Sequence, residues 1–287
     1  MALNETLKLL FAVSKRCSND AEFRGAIKPA VAILTSLHEK GNDATAQLKQ
    51  HLVDALHVLP INAENAHEWF TEGRETDLVH SLIALLDNVT ASGKPAELDF
   101  KLSSTMILLL QLHNHASSSV KALMREKLLP HEGERAQPLG QSDTLASRLL
   151  RLSTSGFTPQ LRELIPELFF ELSERNAETF VNNVGYGYAS GYLQNRKIPF
   201  TMPDGAAQSS TAGGQSSMRS DVNPVTGQFF SAEPKSEGSN MTEEEKEREA
   251  ERLFVLFERL KKTGVVDVKN PVEEAVQSGR FEELPDD

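Results

Sequence analysis

Along the first two thirds of the chain, apolar residues return every three or four positions, the spacing that lines up one face of an α-helix. Leu7, Leu10, Phe11 and Ser14 make an opening face, and Ala26, Ala30, Ile33, Leu34 and Leu37 make a second before Gly41-Asn42-Asp43 breaks it. Leu48, Leu52, Leu56 and Leu59 make a third, ended by Pro60; Leu78, Leu82, Leu85, Leu86 and Val89 make a fourth, ended around Ser92-Gly93-Lys94-Pro95. The stretch from Leu98 to Leu112 is apolar on most sides and reads as a buried inner helix. A basic, amphipathic stretch from Val120 to Leu129 stops at Pro130. Asp143 reads as the capping residue of a helix through Leu152, and Thr158-Pro159 opens the next, since proline is tolerated in a first turn. Pro166 inside that last run is expected to kink it.

No valine-rich alternating run interrupts the helices, and apolar-faced pairs recur about every forty residues, the period of armadillo and HEAT arrays. The expected fold class is all-α, with an armadillo/HEAT-like α-solenoid favoured over a closed bundle. Its inner helices would line a concave surface suited to an extended or helical peptide. Three segments follow from the change in composition: a helical repeat domain over 1–200, a flexible linker over 201–240 and a C-terminal amphipathic helix with an acidic tail over 241–287. Asp204 to Asp221 is Gly, Ser, Ala and Gln with almost no large apolar residue, so burial cannot offset its ordering entropy. Within the same linker, Asn223-Pro224-Val-Thr-Gly227 reads as a turn.

The final helix is specified at several levels. Thr242 and Glu245 have capping-box spacing, Glu243 and Glu244 suit the positive end of the helix dipole, and Lys261 and Lys262 suit the other. Leu253, Phe254, Phe257 and Leu260 form an apolar stripe that needs a partner, and Gly264 can stop the helix. From Met241 onward 14 acidic residues stand against 8 basic ones, so about half of the formal charge of −11 sits there. That charge argues against nucleic acid and anionic membranes as partners. A single cysteine, Cys17, excludes an internal disulfide and reads as a small buried hydrophobe. With no targeting signal and no apolar run near the ~20 residues that cross a bilayer, the expected location is the cytosol.

Candidate chemistry is sparse. Gly185-Tyr-Gly187-Tyr-Ala-Ser-Gly191 superficially matches a dinucleotide loop, but it follows a helix and has its third glycine one position late. A tight helix-to-helix turn packed by Tyr186, Tyr188 and Tyr192 is the better reading. His113 and His115 point to different faces of one helix, and Ser155-Gly-Phe157 lacks the strand context of a hydrolase nucleophile. No cofactor, metal site or catalytic constellation is therefore expected. Lys121, Arg125, Lys127, Arg135, Arg148, Arg151 and Arg162 form the most basic part of the chain. They read equally as a solvated face or as a site for an acidic or carboxylate-ended peptide, with Arg148 and Arg151 on one helix face. The linker hydroxyls Ser209, Ser210, Thr211, Ser216, Ser217 and Ser220 read as a solvated spacer, only Ser220 having an acidic neighbour.

Taken in order, Lys127-Leu-Leu-Pro130, Pro138-Leu139 before Asp143-Thr-Leu145, Arg148-Leu-Leu-Arg-Leu152, Phe180-Val-Asn-Asn-Val-Gly-Tyr-Gly187, Asn223-Pro-Val-Thr-Gly227 and Met241-Thr-Glu-Glu-Glu-Lys246 closely resemble the synembryn family. The resemblance runs from about Leu7 to Lys262. It implies a monomeric, non-receptor guanine-nucleotide exchange factor and folding chaperone for heterotrimeric G-protein α subunits. The solenoid would hold the C-terminal helix of Gα, and the final helix would support its opened Ras-like domain. Lys121, Arg125, Arg148, Arg151, Leu253, Phe254, Phe257 and Leu260 are the implied contact residues; Gly185, Gly187, Asn223, Pro224 and Gly227 are the implied structural turns. Family members are longer at the N terminus, so part of the peptide groove is expected to be lacking, and the acidic context of the family's linker phosphorylation sites is absent here. The alternative is a helical-repeat adaptor that binds a partner helix without exchanging nucleotide.

Overall fold

The computed structural model describes residues 2–16, 20–39, 45–93, 95–200, 219, 221–233 and, further on, 248, 252 and 255. Cys17, the linker over 201–218 with Ser220, and the stripe of Leu253, Phe254, Phe257 and Leu260 lie outside the described residues. The chain divides into one unit over Met1–Glu233 and a second over Pro234–Asp287. In the second, Arg248, Arg252 and Val255 are helical, at the spacing of one helix face.

The first unit is built from α1 (Ala2–Ser14), α2 (Asp20–Phe23), α3 (Ile27–Glu39), α4 (Ala46–Leu56), α5 (Ala66–Trp69), α6 (Asp77–Ser92), α7 (Pro95–His115), α8 (Ser118–Leu128), α9 (Leu145–Ser153), α10 (Pro159–Leu172), α11 (Ala177–Val184) and α12 (Tyr186–Asn195). Among the described residues the single extended pairing is an antiparallel bridge between Val222 and Phe229.

Every third helix stacks. One ladder runs α1, α4, α7, α10, and a second runs α3, α6, α9 beside it, with α6 also against α7 and α9 against α10. That is the layering of an armadillo/HEAT-like α-solenoid. The first ladder's helices begin at Ala2, Ala46, Pro95 and Pro159, so the repeat lengthens along the chain and is longer than the expected forty residues. Unequal repeat lengths explain why no consensus stands out in the sequence.

The seam of the first ladder is fully buried: Leu52, Val53 and Leu56 on α4, Leu102, Met106 and Leu109 on α7, Leu161, Ile165 and Leu168 on α10. Each such side chain contributes about 2 kcal/mol by leaving water. The expected inner helix is thus α7, clasped between α4, α6 and α10. Trp69 is also fully buried, on a short helix that the hydrophobic pattern does not announce.

Helix α10 runs unbroken through Pro166. Its N-terminal amides find an acceptor far away in sequence. The hydroxyl of Thr158 turns back to the Leu152 carbonyl, and the Asp99 carboxylate of α7 instead accepts from Gln160 N at 3.0 Å and Leu161 N at 2.9 Å. This negative group at a positive helix end both caps α10 and locks it to α7. At the other end of α10, Glu174 and Arg175 adopt left-handed φ of 59° and 56°. The Glu174 carboxylate meets Arg125 of α8 at 2.8 Å.

Asp99→Ala is expected to destabilise the first unit by about 1–2 kcal/mol in urea titration, and Asp99→Asn by less, because an amide oxygen still accepts. A pH dependence follows from two histidines. His57 and His113 are held below the usual 6.5, first by burial, and for His113 also by the charges of Lys121 and Arg125, with Glu171 opposing. As the pH falls through 6.5 the unfolded chain takes up protons that the folded chain refuses, so stability drops below 6.5 and keeps dropping until the folded imidazoles are protonated too. Melting temperature should therefore fall between about pH 7 and pH 5.5, and less so in His113→Gln.

Candidate functional site

The short helical turn Glu132–Ala136 places two consecutive charged residues in the interior, Glu134 at 7% and Arg135 at 4% exposure. A buried charge is tolerable only when hydrogen bonds replace its water, and both residues meet that condition. One Glu134 oxygen accepts from the hydroxyls of Ser142 (2.9 Å), Ser147 (2.8 Å) and Thr144, while the other accepts from His131 N at 3.1 Å. Burial pushes the Glu134 carboxyl up, but these four donors outweigh it and hold the group below its ordinary value. Glu134 thereby fastens the start of α9. The N-cap there is Thr144, whose hydroxyl accepts from Ser147 N, and not the expected Asp143, whose side chain stands in solvent.

Arg135 faces the other way. Its guanidinium donates to the carbonyl oxygens of Gly227 (2.8 Å), Asn182 (2.7 Å) and Asn183 (3.3 Å). It is neither solvated surface nor free cation, which corrects its place in the basic cluster. Local sequence carries no sign of this, because Gly227 lies 92 residues downstream.

Gly227 closes the Asn223-Pro224-Val-Thr-Gly227 turn, which packs on the helical unit. The Asn223 side chain accepts from Val225 N and Thr226 N, a side-chain-stabilised turn. The turn then presents consecutive carbonyls: Pro224 O to Tyr186 N at 2.7 Å, Val225 O to Gly187 N at 3.0 Å, Thr226 O to Leu139 N at 3.0 Å, and Gly227 O to Arg135. Arg219 and residues 221–233 thus make a strap, further held by Phe229 N on Arg135 O, by Gln228 on Ala136 O, and by Arg219 paired with Glu132 and Asp221. The Asn223–Gly227 turn belongs to the first unit.

The strap also explains the Gly-Tyr-Gly sequence. Tyr186 to Asn195 is helix α12, and the expected helix-to-helix turn narrows to Gly185, which alone breaks it from α11. Gly185 has φ +80° and cannot offer a side-chain cap, so Pro224 and Val225 supply the acceptors for the first amides of α12. A Cβ on Gly185 would sit 3.0 Å from Val225 O, and one on Gly187 3.2 Å from the same oxygen. The tyrosines pack as expected: Tyr192 lies against Phe170 and Phe180, and Tyr188 donates to Leu139 O.

The four basic candidates share no partner. Lys121 is half-buried near His113, and Arg125 pairs with Glu174. Arg148 and Arg151 diverge from α9. Arg148, its side chain 12% exposed, reaches α6 through Thr90 at 3.0 Å and the Asp87 carboxylate, and Arg151 donates to Gly140 O and Ser142 O. A cleft of about 380 Å³ opens where α6, the end of α8 and the start of α9 meet. Ile83, Ala84, Leu145 and Ala146 give it apolar lining, His80, Lys127 and His131 basic or titratable groups, Asp87 and Glu134 acidic ones. Among the described residues no three His, Cys, Asp or Glu stand as metal ligands, and no helix is long and apolar enough to cross a membrane.

These features define the chain first as an armadillo/HEAT-like helical-repeat protein. Within that class it belongs to the Ric8 family, described as guanine nucleotide exchange factor synembryn, which matches residues 1–280. It is 28% identical to a synembryn-like chaperone of Schizosaccharomyces pombe, covering 97% of this chain and 55% of that protein. It is 26% identical to chaperone Ric-8A of Xenopus tropicalis, covering 98% and 54%. With mouse chaperone Ric-8A the identity is 26% over 79% of this chain and 44% of that one. The chain spans about half the length of the curated relatives it matches.

Gly185→Ala should destabilise the first unit by about 1–2 kcal/mol, since a Cβ strains the left-handed backbone and pushes the strap away. Arg135→Ala should cost about 3 kcal/mol, exceeding the roughly 1 kcal/mol or less of a solvent-exposed arginine such as Arg162. Urea titration of the three variants checks the order.

Proposed function

We propose that the chain acts as a guanine-nucleotide exchange factor and folding chaperone for heterotrimeric G-protein α subunits in the cytoplasm. The family match over residues 1–280 carries this reading. On it, the solenoid takes the C-terminal helix of Gα and the C-terminal segment supports the opened Ras-like domain through Leu253, Phe254, Phe257 and Leu260. Exchange is non-covalent: nucleotide-free Gα is bound more tightly than nucleotide-bound Gα, and that difference shifts the population towards release. Lys121 and Arg125 of α8 are the basic contacts in this scheme. Arg148 and Arg151, already holding α9 to its neighbours, act by shaping the surface. The cleft beside α8 and α9 supports the reading, with apolar lining next to lysine and histidine for an apolar, carboxylate-bearing chain end.

The match to about half of each relative's length keeps the adaptor reading in play, in which a partner helix is bound and nucleotide affinity is unchanged. GDP release measured alongside binding separates the two. The expected result is capture of nucleotide-free Gα with faster GDP release. Phe254→Ala combined with Phe257→Ala should weaken capture by about tenfold or more while leaving the melting of the first unit in place. Binding with an unchanged release rate selects the adaptor, and failure to bind any Gα sinks the exchange-factor reading.

A further inference from the structure

The strap and the cleft meet at one dipeptide. Arg135 takes the strap, through its guanidinium on Gly227 O and its carbonyl under Phe229 N. Glu134, the preceding residue, takes the start of α9 through Thr144 and Ser147, and with Leu145 and Ala146 that start lines the cleft. Both side chains are buried, so neither can exchange its partners for water without disturbing the other's backbone. The turn that carries them spans only Glu132–Ala136, and both its ends are tied to the strap as well, by Arg219 on Glu132 and by Gln228 on Ala136 O.

We propose that the Glu132–Ala136 turn is a coupling element: docking of the strap sets the position of Glu134 and so the wall of the α6/α8/α9 cleft. The strap runs directly into the C-terminal segment, which begins at Pro234. A partner that draws on that segment therefore loosens the start of α9, and a ligand that displaces the start of α9 loosens the strap, the two effects being reciprocal in free energy. Hydrogen bonds to the two buried charges support one another, so loss of part of the set weakens the rest. This coupling stands whether or not the cleft receives the chain end of Gα.

Amide hydrogen exchange on the full chain tests it without any ligand. Gly227→Val releases the strap from its side, since Gly227 has φ +71° and a Cβ there would lie 2.4 Å from the Leu139 side chain. Tyr186 and Gly187 amides, which lose their acceptors, should exchange about tenfold faster, and so should the Ser147 and Arg148 amides at the start of α9, while Met106 to Leu109 of α7 stay protected. In reverse, Glu134→Gln should speed exchange at Tyr186 and Gly187, more than 40 residues away in sequence. If Gly227→Val exposes α7 as well, the surface change Arg219→Ala decides by the same criterion. Fast Tyr186 and Gly187 amides with an unchanged start of α9, or an unchanged strap in Glu134→Gln, would overturn the coupling.

Discussion

A guanidinium taken out of water must find acceptors, and Arg135 finds them in main-chain carbonyls drawn from two distant segments, Asn182 and Asn183 before α12 and Gly227 in the strap. None of these acceptors is a carboxylate. Peptide carbonyls at the end of one helix and in one tight turn do the work of solvent, and the cost of burying the charge makes the arrangement all or none. The closed end of the solenoid depends on that constraint. Without the strap, the start of α12 has unfilled amides and Arg135 is a buried charge with too few partners.

The same logic recurs at three helix starts. Asp99 reaches from α7 to cap α10, Glu134 reaches from its turn to fasten α9, and Pro224 and Val225 bring their carbonyls to α12. At α10 and α12 residues far apart in sequence bring acceptors to free amides, whereas at α9 the carboxylate holds the hydroxyls of Ser142, Thr144 and Ser147. A helix stack held by apolar seams alone can slide along its ridges. Caps supplied by another element fix the register, because a hydrogen bond tolerates displacement of only a fraction of an ångström. Burial therefore supplies most of the cohesion, and long-range capping decides how the layers sit.

Charge on this protein divides along related lines. Arg148, Arg151 and Arg135 spend their hydrogen bonds inside the molecule, while Lys127 and Arg125 pair at the surface. The strap ends at Glu233, the last residue of the first unit.

Periodicity was enough to read nearly all the long helices, the inner position of α7 and the all-α solenoid, because an apolar stripe at helical spacing has few other ways to leave water. Ordered motifs were enough to indicate the family. What periodicity could not supply were the facts that rest on contacts between distant residues. Arg135 looks like any surface arginine until Gly227 is placed beside it. Thr158-Pro159 opens α10 but its amides are capped by Asp99, Asp143 looks like a cap until Thr144 takes that place, and the Asn-Pro-Val-Thr-Gly turn looks like linker until its carbonyls meet α12. Trp69 belongs with these, a large side chain buried by neighbours and not by its own helix pattern. The sequence alone determined which faces turn inward, a property of nearest neighbours along a helix. Only the tertiary structure decided which polar groups answer one another, because a hydrogen bond depends on where two segments meet in space and not on how far apart they lie along the chain.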